Sequence, residues 1–321
     1  MGFEVGEAIN FAFTGWMKSR AALKYFIVAL ILFIILNVAL GSVAGSLFGS
    51  LSNAASMSPG EALGMVGYFF LYVAVFVVLY WLISGFIAYF MLGSALREIK
   101  RKPVEFSAGR YVRFLGLMIA NCLSVVFSLF KLKFLWVLIS GIVLAIVGGV
   151  LAAAGVSFGS NVAMIILGAL LVVVAFILFI CYAVIMVYNA MRLLIGEMIF
   201  VEKEQGIWKS LKASWDITGK NALNIFVVMF VVAIVVMILS FILSAPSMIY
   251  QFSVIGMTGG TGALKLMSDP TYLGLSALTN IVQAFAVMVQ AFAIAGIYTQ
   301  ISKGAGAKKS AAKKTASRKR K

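Results

Sequence analysis

Apolar residues in this chain come in long unbroken runs, not at the spacing of half-buried elements. Residues 62–96, 134–191 and 221–264 contain no Asp, Glu, Lys or Arg. A bilayer core about 30 Å thick is crossed by roughly 20 apolar residues of helix, so each run is long enough to span. Helices are the fitting element, because open strands would leave backbone groups unpaired in hydrocarbon. The pattern predicts an all-α, polytopic transmembrane helix bundle with six crossings, at 25–49, 63–96, 134–154, 162–191, 222–243 and 272–301. Paired in sequence, they form three hairpins.

Two shorter segments carry helical periodicity instead. Within 1–24, Ile9, Phe13, Trp16 and Met17 share one helical face. Within 203–220, Ile207, Trp208, Leu211 and Trp215 do the same, with Lys209, Lys212 and Asp216 opposite. Both predict interfacial amphipathic helices, with Trp16, Trp208 and Trp215 as anchors at the boundary between headgroups and hydrocarbon. A third segment, 103–130, is apolar over 114–130 but bounded by Arg113 on one side and Lys131 with Lys133 on the other. It reads as interfacial or re-entrant.

The outer connections carry helix-start signals. Ser58, Pro59 and Glu61 form a capping box with proline at the first helical position, and Asp269 offers an acidic cap before Pro270.

Composition agrees with a lipid solvent: 63% of residues are hydrophobic and 11% charged, against about half and a quarter in soluble domains. Charge then orients the bundle. With six crossings and a cytoplasmic N-terminus, 25 of the 26 Lys and Arg residues fall inside and only Lys265 outside, as cationic loops prefer. Counting 114–130 as a seventh crossing would leave ten inside and sixteen outside. The expected location is the cell membrane with both termini cytoplasmic. The first apolar run reads as a retained anchor in spite of the small residues Ser42 and Ala44, because Glu4 and Glu7 precede it and it is long for a signal peptide.

A shift of 200 residues superposes the two amphipathic segments, matching Glu4 with Glu204, Gly6 with Gly206, Ala22 with Ala222, Leu23 with Leu223, Phe26 with Phe226 and Val28 with Val228. First and last units each read as interfacial helix, crossing, outer loop, crossing. The middle unit, from 103 onward, follows this order more loosely. Two crossings per unit make the repeats parallel in orientation.

Within 201–226, Glu204 and Gly206 are followed by Ser210, Leu211, Ser214, Trp215, Ile217 and Thr218. This stretch resembles a segment of prokaryotic six-helix proteins related to the membrane domain of glycerophosphodiester phosphodiesterases. Residues 84–106 are also similar to uncharacterised archaeal and bacterial relatives. The resemblance implies architecture and no assigned activity. The phosphodiesterase chemistry belongs to a separate catalytic domain that uses histidine and acids, and this chain has no histidine.

No catalytic, cofactor-binding or metal-binding residue is assigned, and a non-enzymatic protein is expected. Cys122 and Cys181 read as free packing thiols. The glycine-rich run from Thr258 to Gly262 lacks the strand and the Lys-Ser/Thr of a phosphate loop and reads as an outer loop. A polar stripe of Ser276, Asn280, Gln283 and Gln290 lies on one face of the last crossing, and Asn37, Asn121, Asn189, Tyr72 and Tyr182 could join it. Such a stripe either lines a path for a neutral or amphiphilic solute or serves as interhelical glue. Gly41, Gly45 and Gly49, and likewise Gly141, Ala145 and Gly149, form small-residue faces for packing within the monomer or in an oligomer.

The tail, 302–321, has nine basic residues and no acidic one. Its composition predicts disorder. Lys308, Lys309, Lys313, Lys314, Arg318, Lys319, Arg320 and Lys321 are candidates for binding an anionic lipid surface, where each contributes on the order of 1 kcal/mol. The same charge would take nucleic acid, or tether ribosomes, without sequence preference. A tail that only fixes the C-terminus inside is the plainer alternative. The leading functional expectation is a protein that organises or senses the membrane surface and recruits anionic lipid or partners through its tail.

Overall fold

The computed structural model describes the backbone of residues 3–51, 58–101, 107–129, 132–157, 161–258 and 269–318. Among the described residues there are helices and no strand. In chain order they are α1 (Val5–Thr14), a 3₁₀ turn (Gly15–Lys18), α2 (Arg20–Leu51), α3 (Pro59–Lys100), α4 (Ala108–Leu129), α5 (Leu132–Ser157), α6 (Val162–Leu193), α7 (Gly196–Lys203), α8 (Ile207–Thr218), α9 (Ala222–Thr258) and α10 (Pro270–Arg318).

Seven of these segments, rather than six, are long and apolar enough to cross a membrane. The addition is Ala108–Phe127, whose mean hydropathy of 1.4 is the lowest, against 1.9 to 3.3 for the others. The sequence count set this segment aside on its flanking charges, whereas its length and composition suffice by themselves. The chain is a multi-pass helical membrane protein.

Helix limits follow local chemistry. The helix α3 begins at Pro59, directly after Ser58, as the cap predicts. At the start of α10, Asp269 Oδ1 accepts from the backbone N–H of Thr271 at 2.7 Å and of Tyr272 at 3.4 Å. Its Oδ2 accepts from the Tyr250 hydroxyl at 2.8 Å. Hydrogen bonds from Tyr250 first, and then from the Thr271 amide, hold the Asp269 carboxyl below the usual carboxylate range. The glycine-rich run after Thr258 lies outside the described residues.

Several helices outrun their expected limits. Pro246 lies inside α9, which continues to Thr258 although the predicted crossing stops at 243. Proline is tolerated inside membrane helices, where neighbouring hydroxyls and local adjustment satisfy the freed groups. The backbone of α10 continues to Arg318, so the segment expected to be disordered is helical over 302–318. Lys and Ala are good helix formers, and extending an existing helix requires no new nucleus. The eight candidate surface-binding side chains from Lys308 to Lys321 lie outside the described ones.

The helices divide into two compact units. In the first, formed by residues 1–115, 198–204 and 227–321, α10 is the axis. Two-thirds (67%) of its apolar window is buried inside the protein, against 11 to 22% for the other spans. Phe292, Met288 and Ile297 of α10 are fully buried with Phe33 of α2 and Met91 and Leu92 of α3.

In the second unit, residues 116–197 and 205–226, α5 and α6 form a hairpin pressed together at bare backbone. A Cβ on Gly148 would stand 2.7 Å from Gly168 O, and one on Gly168 would stand 2.6 Å from Ala152 N. The contact face is thus Gly141, Gly148 and Gly155, while Gly149 has nothing within 4 Å. This corrects the Gly141, Ala145, Gly149 expectation. The seven-residue spacing keeps a seam facing a partner that crosses at a shallow angle, whereas a four-residue glycine spacing suits steeper crossings.

Candidate functional site

Neither amphipathic helix turns the whole of its large apolar face inward; small residues take much of the buried face, joined in α8 by Leu211. In α1, Ala8 and Ala12 are buried, followed by Gly15 in the 3₁₀ turn. They form a small-residue stripe against α10, where a Cβ on Gly296 would meet Ala8 O at 3.1 Å. Phe13 is only half-buried and Met17 is 59% exposed. In α8 the buried residues are Ser210, Leu211, Ser214 and Thr218, while Trp208 is 72% exposed beside the exposed Lys209 and Lys212.

The correction has a physical cause. Between protein and lipid there is little gain from burying a large apolar side chain in protein, so close approach decides which face docks, and small residues allow it. The remaining anchors divide. Trp16 is half-buried, edge-on to Phe285 at 6.2 Å, so it packs against α10 instead of standing free. Trp215 is half-buried under a cation.

That cation is Arg192, at the end of α6. Its guanidinium lies 3.7 Å from the Trp215 ring centroid. Its Nη2 donates to Trp215 O at 2.7 Å. In return, Ser214 Oγ and Thr218 Oγ1 donate to Arg192 O at 2.8 and 2.9 Å. The hydroxyl face of α8 therefore satisfies a carbonyl at the end of α6 that has no helical partner. Also in this unit, Glu197 pairs through its side chain with Asn121 of α4.

Charged groups of the first unit gather where α3 and α10 end their apolar stretches and α2 begins. Glu202 of α7 accepts from both Lys100 Nζ and the Tyr298 hydroxyl, and Arg110 Nη2 meets Glu204 Oε2 at 2.8 Å. Arg101 and Glu204 adopt left-handed backbone, with φ of 55° and 52°, which stops α3 and α7 in the manner of a C-terminal cap.

Beside this cluster is a cleft of about 470 Å³. Glu7, Asn10, Thr14 and Lys18 line one side, Glu98 and Ile99 another, and Thr299 and Gln300 a third, over a floor that includes Phe11, Gly15 and Gly296. Gln300 Nε2 donates to the Glu7 carboxylate. Spacing along α1 places Glu7, Asn10 and Thr14 on one face, but only the fold brings Glu98 and Gln300 to them. No periodicity signal foretold that.

The polar stripe of the last crossing is not one uniform surface. Asn280 is 1% exposed and accepts from Asn37 Nδ2 at 3.4 Å. Ser276, half-buried, donates to Leu273 O of its own helix at 2.9 Å. Gln283 is half-buried and Gln290 exposed. Of the residues that could join the stripe, Asn37 does, while the Tyr72 hydroxyl donates to Leu40 O at 2.7 Å. Cys122 and Cys181 are both free and exposed. Among the described residues no group of three or more metal-ligating side chains occurs.

No protein-family model, no curated protein and no solved structure matches the chain.

Proposed function

We propose that this is a non-enzymatic membrane protein that organises or senses the membrane surface, with six crossings in three hairpins and both termini in the cytoplasm. In this reading α4 lies at the cytoplasmic interface. Arg110 and Arg113 near its start and its low mean hydropathy of 1.4 favour that position.

One observation carries the proposal. Small-residue faces bind α1 and α8 to their units while Met17 and Trp208 stay exposed next to Lys18, Lys209 and Lys212. A large apolar side chain beside lysines on a docked helix is suited to the boundary of an anionic leaflet. The basic tail adds electrostatic attraction, recruiting anionic lipid or an anionic partner.

The test uses the tail peptide 302–321 and liposomes. Retention should rise steeply with anionic lipid and fall with salt. Equal retention on neutral and anionic liposomes would remove the electrostatic half of the proposal. The transport alternative has less behind it, since the most buried amide of the stripe, Asn280, accepts from Asn37 through its Oδ1, although its buried Nδ2 has no partner among the described residues.

A further inference from the structure

The cleft beside α1 has a lining whose charges are not used up within the protein. Two carboxylates, Glu7 and Glu98, and one ammonium, Lys18, face the same space. Ion pairs among the described residues are Lys100 with Glu202 and Arg110 with Glu204, so neither cleft carboxylate is neutralised by Lys18. The hydroxyl of Thr14 is spent on Asn10 O at 2.8 Å. What the cleft offers a visitor is therefore mainly charge: carboxylates on two sides, Glu7 and Glu98, and an ammonium, Lys18, farther along the same side as Glu7. Glu7 is held in place by Gln300, which lowers the cost of ordering it around a ligand.

Depth narrows the choice of ligand. The cleft is lined by the last turns of α3, the turn before α2 and the end of the apolar part of α10. These are places where apolar helices change to Lys18, Arg20, Arg97 and Lys100, the signature of headgroup level. A volume of about 470 Å³ is in the range of small-ligand pockets. We propose that the cleft binds the headgroup of a phospholipid that carries a primary ammonium, with the ammonium at Glu7 and Glu98 and the phosphate at Lys18. A primary ammonium gives three donors to carboxylates, while a trimethylammonium gives none and keeps its charge farther away. Anionic lipids without an amine meet two like charges. The site thus selects ethanolamine over choline headgroups, and over glycerol ones.

The inference rests on the placement of this end at the membrane surface given above. Its test is separable from that one, because ethanolamine and choline phospholipids are both net neutral and the tail does not distinguish them. The full chain is reconstituted in vesicles of equal parts ethanolamine and choline phospholipid with identical acyl chains, then extracted, and the retained lipid is quantified by mass spectrometry. Ethanolamine lipid should be enriched about tenfold, the scale of one charge-assisted hydrogen bond. Glu7→Gln with Glu98→Gln should bring the ratio near one, and Lys18→Met should weaken retention of both lipids. If the double variant melts early, Glu98→Gln alone carries the comparison.

A ratio of one in the unaltered protein, or an undiminished ratio in the carboxylate variants, overturns the proposal. Binding of free phosphoethanolamine without enrichment of the lipid would assign the cleft to a soluble zwitterion and overturn the lipid assignment. Partial displacement of bound ethanolamine lipid by excess phosphoethanolamine is the supporting result. Loss of the tail's preference for anionic lipid would leave the ethanolamine ratio unchanged.

Discussion

Arg192 lies over Trp215, with the guanidinium carbon 3.7 Å from the ring centroid and Nη2 bonded to the same residue's carbonyl at 2.7 Å. One side chain thereby fixes both the indole and the backbone of α8. Stacking of this kind is worth about 0.5 to 2 kcal/mol. Trp215→Ala should lower the midpoint of thermal unfolding in detergent. Arg192→Lys should lower it as well, because a lysine cannot lie flat on the indole while also donating to the Trp215 carbonyl. A melt of Arg192→Lys that matched the unaltered protein would show the stack to be energetically idle.

The α5 and α6 hairpin has no room for a side chain at Gly148 or Gly168. Gly148→Leu or Gly168→Leu must move backbone, a strain of about 1 to 3 kcal/mol or more. Gly149→Leu points into open space and should be near neutral. Unfolding in graded denaturing detergent ranks the three variants, and a Gly149 variant as damaged as Gly148 would contradict the seam.

For Asn37 and Asn280 the expected coupling in a double-mutant cycle is about 1 kcal/mol or less, as measured for amide bonds between membrane helices. Cysteines placed at Gln283 and Gln290 should resist water-soluble thiol reagents if the stripe is glue between helices and lipid-facing surface. Fast labelling of both would restore the transport alternative.

Because the Asp269 carboxyl titrates below its ordinary range, its contribution to folding is complete above the unfolded value near about 3.9. It is lost as pH falls through the lower folded value. Protection factors for the Thr271 and Tyr272 amides, taken relative to intrinsic exchange at each pH, should fall as that value is crossed. Asp269→Ala should show the low protection at every pH, whereas Asp269→Asn, also a good cap, should remove the pH dependence and keep most of the protection.

Orientation can be read directly. In a cysteine-free background, a cysteine at Lys265 should be labelled from outside intact cells and one at Lys212 only after lysis. Reversal of that pair would overturn the arrangement with both termini inside.

Much of the architecture was legible along the chain. Ser58 and Asp269 mark helix starts that the structure keeps. The order of elements is alike at the two places compared by the 200-residue shift: α1 and α8 are each short, and each is followed within a few residues by a long helix starting at Arg20 or Ala222. What could not be read was partnership. In water, apolar periodicity tells which face is buried, but in lipid a large apolar residue has two acceptable surroundings. Met17 and Trp208 took the outer one and Leu211 the inner, where Ala8, Ala12, Ser210 and Ser214 form most of the buried face. The cleft was hidden for another reason, since Glu7 and Gln300 lie 293 residues apart and no local spacing connects them.

That separation bears on how the molecule comes into being. The bed on which α1 rests is made by α10, so during synthesis the alanine stripe at Ala8 and Ala12 emerges long before Gly296 exists to receive it. The α5 and α6 hairpin closes on its own neighbours and can be finished early. The first unit is completed last, and a ribosome halted before α10 leaves its opening helix without a seat.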